Sequence, residues 1–359
     1  MRVLSLTASG FRNLGELRFE PHEGLNVVYG ENAQGKTNLL EAMWLFTGGR
    51  SFRGAKDSEL VRFGEEEASL ALSFFSQERE QKAELVLRAG ARRFTLNGVP
   101  QRSGAALVGR FCAVVFSPEH LSLVKGGPAE RRAFLDSALC QVRPQYAAVF
   151  ARYRHTLNQR NALLKDIARH PELLDTLSIW DERLCRYGEQ LVRDRKAYLE
   201  RLAPIAAKHY EGISGGREAL EVFYEPSFRE SMAEELFAAR REDLRSGHTS
   251  AGPHRDDLGL RLAGAPARMF ASQGQQRSIV LALKLAEAAV LALSCGEEPV
   301  VFLDDVLSEL DAGRQEYLLR TLGGRQVFLT GCGTIPPAGE RGEFHVSQGA
   351  VSREDAARP

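Results

Sequence analysis

The chain has 359 residues, with 47 basic against 47 acidic side chains and a formal net charge of zero. No global excess of positive charge marks a nucleic-acid binder, so any such surface must be local. Hydrophobic content of 43% and charged content of 26% are those of an ordinary globular protein, and the length allows one large domain or two. Five scattered cysteines (Cys112, Cys140, Cys185, Cys295, Cys332) form no C-x-x-C pair, which argues against a zinc site and a disulfide framework and for a reducing compartment. The start, MRVLSLTASGFRNL, alternates and lacks the layout of a secretory leader, and the apolar run Ser278 to Cys295 is interrupted by Lys284 and Glu287. A buried helix, a cytoplasmic location and no membrane partner are expected. Only 8 of the basic residues are Lys; a coding bias toward Arg accounts for this, though the planar Arg fork also suits phosphate recognition.

Taken in chain order, residues 1–122 read mostly as strand. VLSLTA and ELRFE alternate, and LNVVYG is a short apolar run. SLALSFF, KAELVLRAG and RRFTLNG follow, the last two separated by a hairpin signal, and FCAVVFSP is another buried strand. One helix, about Lys36 to Phe46, interrupts them. Residues 123–224 carry apolar positions at helical spacing, with Pro128, Pro144 and Pro171 near the helix starts, where proline fits. From 126 to 210 there are 15 basic and 10 acidic residues, the most basic part of a neutral chain. A solvated helical face and a nucleic-acid surface both fit this excess. Residues 225–359 return to alternation (DDLGLRLAG), then a long helix from Gln276, the strand PVVFLDD, a helix near Gly313 to Leu322, the strand RQVFLTG and a closing hairpin, GEFHVSQGAVS. The order is an α/β unit, a helical insert, then the rest of the α/β unit.

Residues 30–37, Gly30-Glu31-Asn32-Ala33-Gln34-Gly35-Lys36-Thr37, match G-x-x-x-x-G-K-S/T and follow a strand. The glycines allow a turn that aims backbone N–H groups inward at phosphate oxygens. Lys36 would set a point charge on the β and γ phosphates of ATP, and the Thr37 hydroxyl would ligate Mg²⁺. The helix that follows, which includes Asn38, offers its positive end to the same anion. A triphosphate site also needs a carboxylate for the metal. The apolar run Pro299 to Leu303 ends in Asp304 and Asp305, which places Asp304 in the Mg²⁺ shell and Asp305 beside the attacking water. Acids at a strand end can equally cap the next segment, but the phosphate loop favours the functional reading. Ser272-Gln273-Gly274-Gln275, a polar turn before a long helix, is a weak signal alone; it lies about 30 residues before the PVVFLDD strand.

Together these motifs resemble those of the ABC-type ATPases, whose signature loop reads Ser-Gly-Gly-Gln and whose post-Walker B loop resembles Ser308-Glu309-Leu310-Asp311. The wording G-x-N-x-x-G-K-T-N at 30–38 is similar to the chromosome-maintenance and DNA-repair branch. Within that branch four stretches resemble the RecF family: Gly10-Phe11-Arg12-Asn13-Leu14; Phe116-Ser117-Pro118-Glu119 with Gly127-Pro128-Ala129-Glu130-Arg131-Arg132; Ser250-Ala251-Gly252-Pro253-His254-Arg255-Asp256-Asp257; and Leu303 to Asp311. The likeness covers nearly the whole chain. It implies an α/β fold, an ABC-type ATPase head with a mixed sheet around the phosphate loop, an antiparallel β subdomain and an inserted helical domain. It also implies a homodimer formed with ATP, in which residues 272–275 close over the nucleotide held by the other copy. The implied partners are double-stranded DNA near single-strand/double-strand junctions, RecO and RecR, with slow hydrolysis timing release. Arg12 would lie near the base or α-phosphate, and Glu119 in a loop that couples nucleotide to a neighbouring lobe.

Three features depart from the general ABC pattern. Gln273 stands where Gly is usual. Asp305 replaces the catalytic Glu and is one methylene shorter, which predicts slow hydrolysis. The strand VFLTG runs into Gly331-Cys332 where transporters carry a His, so no catalytic histidine is expected there; His254 is read as part of a structural turn. A transporter subunit fits poorly without that histidine, a chromosome organiser would need a far longer coiled coil than this insert, and a guanine switch would need an Asn-Lys-x-Asp that is missing.

Overall fold

The computed structural model describes residues 1–228, 230–331 and 340–354. The first third is strand-built: β1 (Arg2–Ser9), β2 (Leu17–Phe19) and β3 (Leu25–Tyr29), then α1 (Lys36–Trp44) and a short α2 (Asp57–Leu60), then β4 (Glu67–Ser76), β5 (Arg79–Arg88), β6 (Ala91–Leu96), β7 (Val99–Gln101) and β8 (Ala113–Phe116). The helical stretch follows as α3 (Ser122–Lys125), α4 (Pro128–Val142), α5 (Pro144–Ile167) and α6 (Leu177–Ser214). Next come β9 (Leu220–Glu225), α7 (Met232–Ser246), β10 (Asp257–Leu262), β11 (Ala265–Pro266), α8 (Ala267–Phe270) and α9 (Gln273–Cys295). The chain closes with β12 (Val300–Leu303), α10 (Ala312–Thr321), β13 (Val327–Gly331), β14 (Arg341–Ser347) and β15 (Ala350–Glu354). Pro128 and Pro144 sit in the first turns of α4 and α5, where a missing N–H leaves no bond unmade. Pro171 opens a short 3₁₀ turn ahead of α6.

The strands form three sheets. An antiparallel one runs β2-β1-β4-β5-β6-β7, a mixed one β15-β14-β3-β13-β12-β8, and a small one β11-β10-β9. In the mixed sheet every pairing is parallel except that of β15 with β14. Its register sets Val28 opposite Thr330, and Leu303 opposite both Leu329 and Phe116. The chain therefore leaves β3, β13, β12 and β8 at one level, the edge at which open α/β sheets hold ligands.

One core lies between the antiparallel sheet and the mixed sheet, with Leu39, Leu40 and Met43 of α1 inside it. The other face of the mixed sheet packs Val114, Val301, Leu303 and Leu329 against Leu281 and Leu285 of α9 and Leu318 of α10. The central strands are apolar on both faces because both faces are covered. A third core joins α4, α5 and α6 to β9, β10 and the other side of α9. By length and composition α9 could cross a membrane, but here it lies between two of these cores and most of its apolar stretch is buried.

Two boundaries differ from expectation. The helix expected from Gln276 begins at Gln273, because Ser272 caps it and Gln275 reaches back to complete the capping box. The division at 224 falls within β9, and β9 pairs along its whole length with β10, so the core of the insert continues past that point.

Candidate functional site

The turn after β3 is held in shape from three sides. Lys36 folds back so that its Nζ donates to the carbonyls of Gly30 and Glu31 at 2.7 and 2.9 Å. Asn13 donates from Nδ2 to the Ala33 carbonyl at 3.1 Å, and its Oδ1 accepts from Asn38 Nδ2 at 2.7 Å. Asn38 in turn accepts from Arg53 at 3.1 Å. The third side is the turn between β14 and β15. The Gln348 N–H donates to Gln34 Oε1 at 2.6 Å, the Gly349 N–H donates to the Gln34 carbonyl at 2.9 Å, and the Gly349 carbonyl accepts from the Gly15 N–H at 3.1 Å. Gly349 has φ +78, and a Cβ there would run into the Asn13 carbonyl oxygen. A Cβ at Gly30, which has φ +147, would likewise run into the Val346 carbonyl oxygen. Gly35 caps α1 in a positive-φ conformation, and Glu31, Asn32 and Ala33 lie exposed on the outer rim.

The acids of β12 meet this turn. Thr37 Oγ1 donates to Asp304 Oδ1 at 2.9 Å, and Thr330 Oγ1 donates to the same oxygen at 2.8 Å. Thr330 also accepts from the Asp305 N–H at 3.0 Å, so one hydroxyl touches both acids. Burial raises the Asp304 pKa above the ordinary aspartate value. The two hydroxyl donors oppose that shift, and the charges of Asp305 and Glu119 add to it. Glu119 is thereby placed within electrostatic reach of Asp304. Asp305 is held at φ +52, a left-handed conformation that most L residues avoid and that Asp adopts more readily than most. Ala33 and Arg12 are held likewise, at φ +63 and +50.

Arg12 directs Nε and Nη2 to the two oxygens of Glu41, at 3.0 and 3.2 Å. Glu41 is fully buried on α1 and also accepts from Ser51. The Arg12 guanidinium thus fastens the helix behind the phosphate loop.

Residues 272–275 stand on other elements. The Gln275 N–H donates to Ser272 Oγ at 3.3 Å and the Ser272 N–H to Gln275 Oε1 at 2.7 Å. Gln275 Nε2 reaches Glu218 of the insert at 2.9 Å. Ser272 and Gln273 are exposed, Gly274 is half-buried, and the first N–H groups of α9 have no acceptor within their own helix. Behind them, Arg277 pairs with Glu309 at 3.6 Å and Arg314 donates to Ser278 at 2.9 Å, which ties the start of α9 to the segment after β12.

His254 accepts from or donates to Tyr153 at 2.6 Å through Nδ1 and meets the Thr249 carbonyl at 3.0 Å through Nε2. Burial lowers its pKa, and its two nitrogens are both engaged, one by Tyr153 of α5 and one by the turn. Asp256 and Asp257 beside it are held by Tyr224, Ser227 and Arg131. Cys332 lies outside the described residues. Among the described residues no cluster of three His, Cys, Asp or Glu could hold a metal by itself. A hydroxyl and a carboxylate 2.9 Å apart beside a phosphate loop are nonetheless a fitting partial donor set for a hard cation completed by phosphate oxygens.

Four contributors escaped the sequence: Asn13, Thr330, and the pair Gln348 and Gly349. Thr330 had one available signal, since an apolar strand ending in a hydroxyl residue beside a strand ending in Asp304 brings the two side by side when the strands pair in parallel.

A family profile described as RecF/RecN/SMC N terminal domain matches residues 2–329. The DNA replication and repair protein RecF of Agathobacter rectalis is 42% identical over 357 residues, covering 98% of this chain and 99% of that protein. That of Lachnoclostridium phytofermentans is 38% identical over 359 residues, covering 98% and 100%. A solved structure of the recombination mediator protein RecF with ATPrS, in the RecFOR pathway, superposes with a TM-score of 0.92 at 37% identity, covering 98% of this chain and 97% of that one. An Smc head domain from Pyrococcus furiosus superposes with a TM-score of 0.57 at 15% identity, which shows a shared fold alone. The ABC-type ATPase head expected from the motifs is therefore the fold of this chain.

Proposed function

Because the chain belongs to the RecF family of DNA replication and repair proteins, we propose that it binds ATP with Mg²⁺, dimerises on the nucleotide and clamps duplex DNA near single-strand gaps. The RecF structures that resemble it were solved with ATP or ATPrS in the RecFOR pathway; on that ground RecO and RecR are its proposed partners and recombinase loading its outcome. The observation that carries this reading is the convergence of Lys36, Thr37 and Asp304 at one sheet edge, while Ser272 and the open start of α9 lie on other elements.

In this reading Lys36 leaves its two carbonyls for the β and γ phosphates, and the N–H groups of residues 31–36 cradle the rest. Thr37 and Asp304 would hold Mg²⁺, which would supply charge neutralisation to the phosphates. Asp305 orients the attacking water. Its short side chain leaves it one methylene further back than a glutamate, so hydrolysis is slow and times release. Turnover at roughly hundreds per second, the fast end of ordinary enzymes, would refute this. Arg12, proposed to lie near the base or α-phosphate, also braces α1 through Glu41, and Glu119 is proposed to couple the nucleotide to the neighbouring lobe. Ser272, Gln273, Gly274 and Gln275 close over the γ-phosphate of the other copy. The units 1–122, 123–224 and 225–359 serve as ATPase head, lobe and head, the lobe's core extending through β9 and β10 past residue 224, with the Gln275–Glu218 bond joining the signature to the lobe.

The test is sedimentation and duplex binding with and without ATP, for wild type and Lys36→Met. The expected result is dimer and DNA binding only for wild type with ATP. DNA binding that ignores both ATP and the substitution would reduce the protein to a DNA-binding ATPase without a clamp.

A further inference from the structure

The insert is the most basic part of the chain, and the fold separates its cations into two groups. Arg131, Arg143, Arg160 and Arg195 are each taken by an aspartate at 2.7 or 2.8 Å, and Arg132 by the Asp256 carbonyl at 2.6 Å. These bonds hold the lobe together. They also occupy acids, namely Asp136, Asp181, Asp194 and Asp243, that would otherwise offset positive charge at the surface.

What remains is concentrated on α5. No carboxylate occurs from residue 137 to residue 165, a span that includes nearly all of this helix. Its inward stripe runs from Tyr146 to Ile167 at helical spacing and is buried. Its outward half presents Arg152, Arg154, His155, Asn158, Gln159 and Lys165, all exposed. Ala148, Ala151 and Ala162 lie between them and let a surface approach the helix closely. An ordinary solvated helix face mixes charges of both signs at i, i+4 spacing, whereas this one, until Asp166 in its last turn, offers hydrogen-bond donors, amides and small residues; on α6 the exposed acid Glu182 stands beside Arg183. The pairs Arg143–Asp194 and Arg160–Asp181 fix α5 antiparallel to α6, so the level of Arg152 and Arg154 matches that of Arg183 and Arg186, which are also exposed. Arg154 lies over the Phe150 ring at 5.8 Å and Arg183 over Trp180 at 5.6 Å. Stacking orders a guanidinium while leaving its N–H edge open to an anion.

We propose that this face of α5, with Arg183 and Arg186 at the same level of the helix pair, is the surface on which the phosphate backbone of duplex DNA rests. The inference depends on the clamp reading above and adds the surface to it. Arg and Lys neutralise phosphates and release condensed counterions, Asn158 and Gln159 add neutral donors, and the alanines permit contact along the helix.

The test is anisotropy of a labelled duplex with a slowly hydrolysed ATP analogue, between about 50 and about 200 mM salt. Arg152→Glu with Arg154→Glu should weaken binding at least ~10-fold and flatten the log–log salt slope by about 2, while ATP-dependent sedimentation stays that of wild type. Arg152→Lys with Arg154→Lys should retain most of the affinity, as phosphate contact requires. Arg93→Glu, equally exposed but on β6, should leave binding unchanged. Wild-type affinity and slope in the charge-reversed pair would overturn the surface and leave the clamp standing. Absence of ATP-dependent duplex binding by wild type would overturn both.

Discussion

The phosphate-loop half of the site and the signature half are built on opposite plans. The first is over-determined. Its loop is fastened by Lys36 from within, by Asn13 from one side and by the β14–β15 turn from another, and its metal-side acid is buried beneath two hydroxyls. The second is a capped helix start whose outer residues, Ser272 and Gln273, face solvent. A half-site already fastened in shape can bind its ligand alone. A half-site that is exposed and has open donors is complete only when something else covers it. The difference teaches where the cooperativity should lie: ATP affinity should belong to one copy, and ATP-dependent association to the pair.

The largest expected effect tests that separation. Ser272→Arg puts a charge and a long side chain at the start of α9. An uncompensated charge at an interface costs about 3 kcal/mol, or roughly 100-fold in association. ATP binding by the single chain should change little, because residues 30–38 and 304 do not touch Ser272. Sedimentation with ATP reads the first quantity and nucleotide titration the second. Normal ATP-dependent dimerisation of this variant would end the shared-site model. Ser272→Ala removes the cap and one hydroxyl donor but adds no charge or bulk; it should reduce stability by about 1 kcal/mol and weaken association less than Ser272→Arg does.

A second substitution tests the rigidity of the phosphate half. Gly349→Ala places a Cβ against the Asn13 carbonyl and adds left-handed strain at φ +78. Displacing that turn loosens the two bonds that hold Gln34. ATP affinity should fall roughly 10-fold, about 1.4 kcal/mol. Gly296→Ala, at φ +73 with nothing within 4 Å, carries the same backbone strain far from the loop. It should lower the melting temperature and leave ATP affinity alone. Equal effects of the two on affinity would mean that the β14–β15 turn gives stability but no positioning.

How much of this was legible follows from which bonds are local. Gly30 to Thr37 is a continuous motif, and its strand and helix are its own neighbours in sequence. Asp304 and Asp305 were legible because an apolar run ends in them. Thr330 and Gly349 were not, because they reach the loop only through strand pairing between segments several hundred positions apart, and Asn13 was not, because its side chain meets the loop from the turn after β1, a contact with no sequence signature. Gln348-Gly349 read as an ordinary hairpin turn, and nothing in such a turn says what it packs on. The early start of α9 was legible in principle, since Ser272 followed three residues later by Gln275 is a capping-box pattern. The balance of charges in the insert could not be sorted in advance. Arg160 finds Asp243 across more than eighty residues, and only the fold shows which cations are used up internally and which remain on α5.

The smallest expected effect concerns Asp304 and runs against intuition, since removing a metal-side acid should stabilise the ligand-free protein. Burial raises its pKa, so the folded state binds this proton more tightly than the unfolded chain does. The stabilising contribution of the protonated form is therefore fully present below the unfolded pKa, near 3.9, and is lost as pH rises from there through the raised folded value. At neutral pH the buried charge carries a desolvation penalty that Thr37 and Thr330 offset only in part. Asp304→Asn keeps a carbonyl oxygen for both hydroxyls and removes the charge. Without nucleotide its melting temperature should rise by about 1–3 °C at pH 7 and the gain should shrink on acidification, while ATP hydrolysis is lost. Thermal melts across pH, with and without ATP and Mg²⁺, decide the matter. If the variant melts below wild type at neutral pH, the carboxylate is stabilised by its two hydroxyls more than burial penalises it. The phosphate half would then be settled before any ligand arrives, rather than held in readiness for a cation.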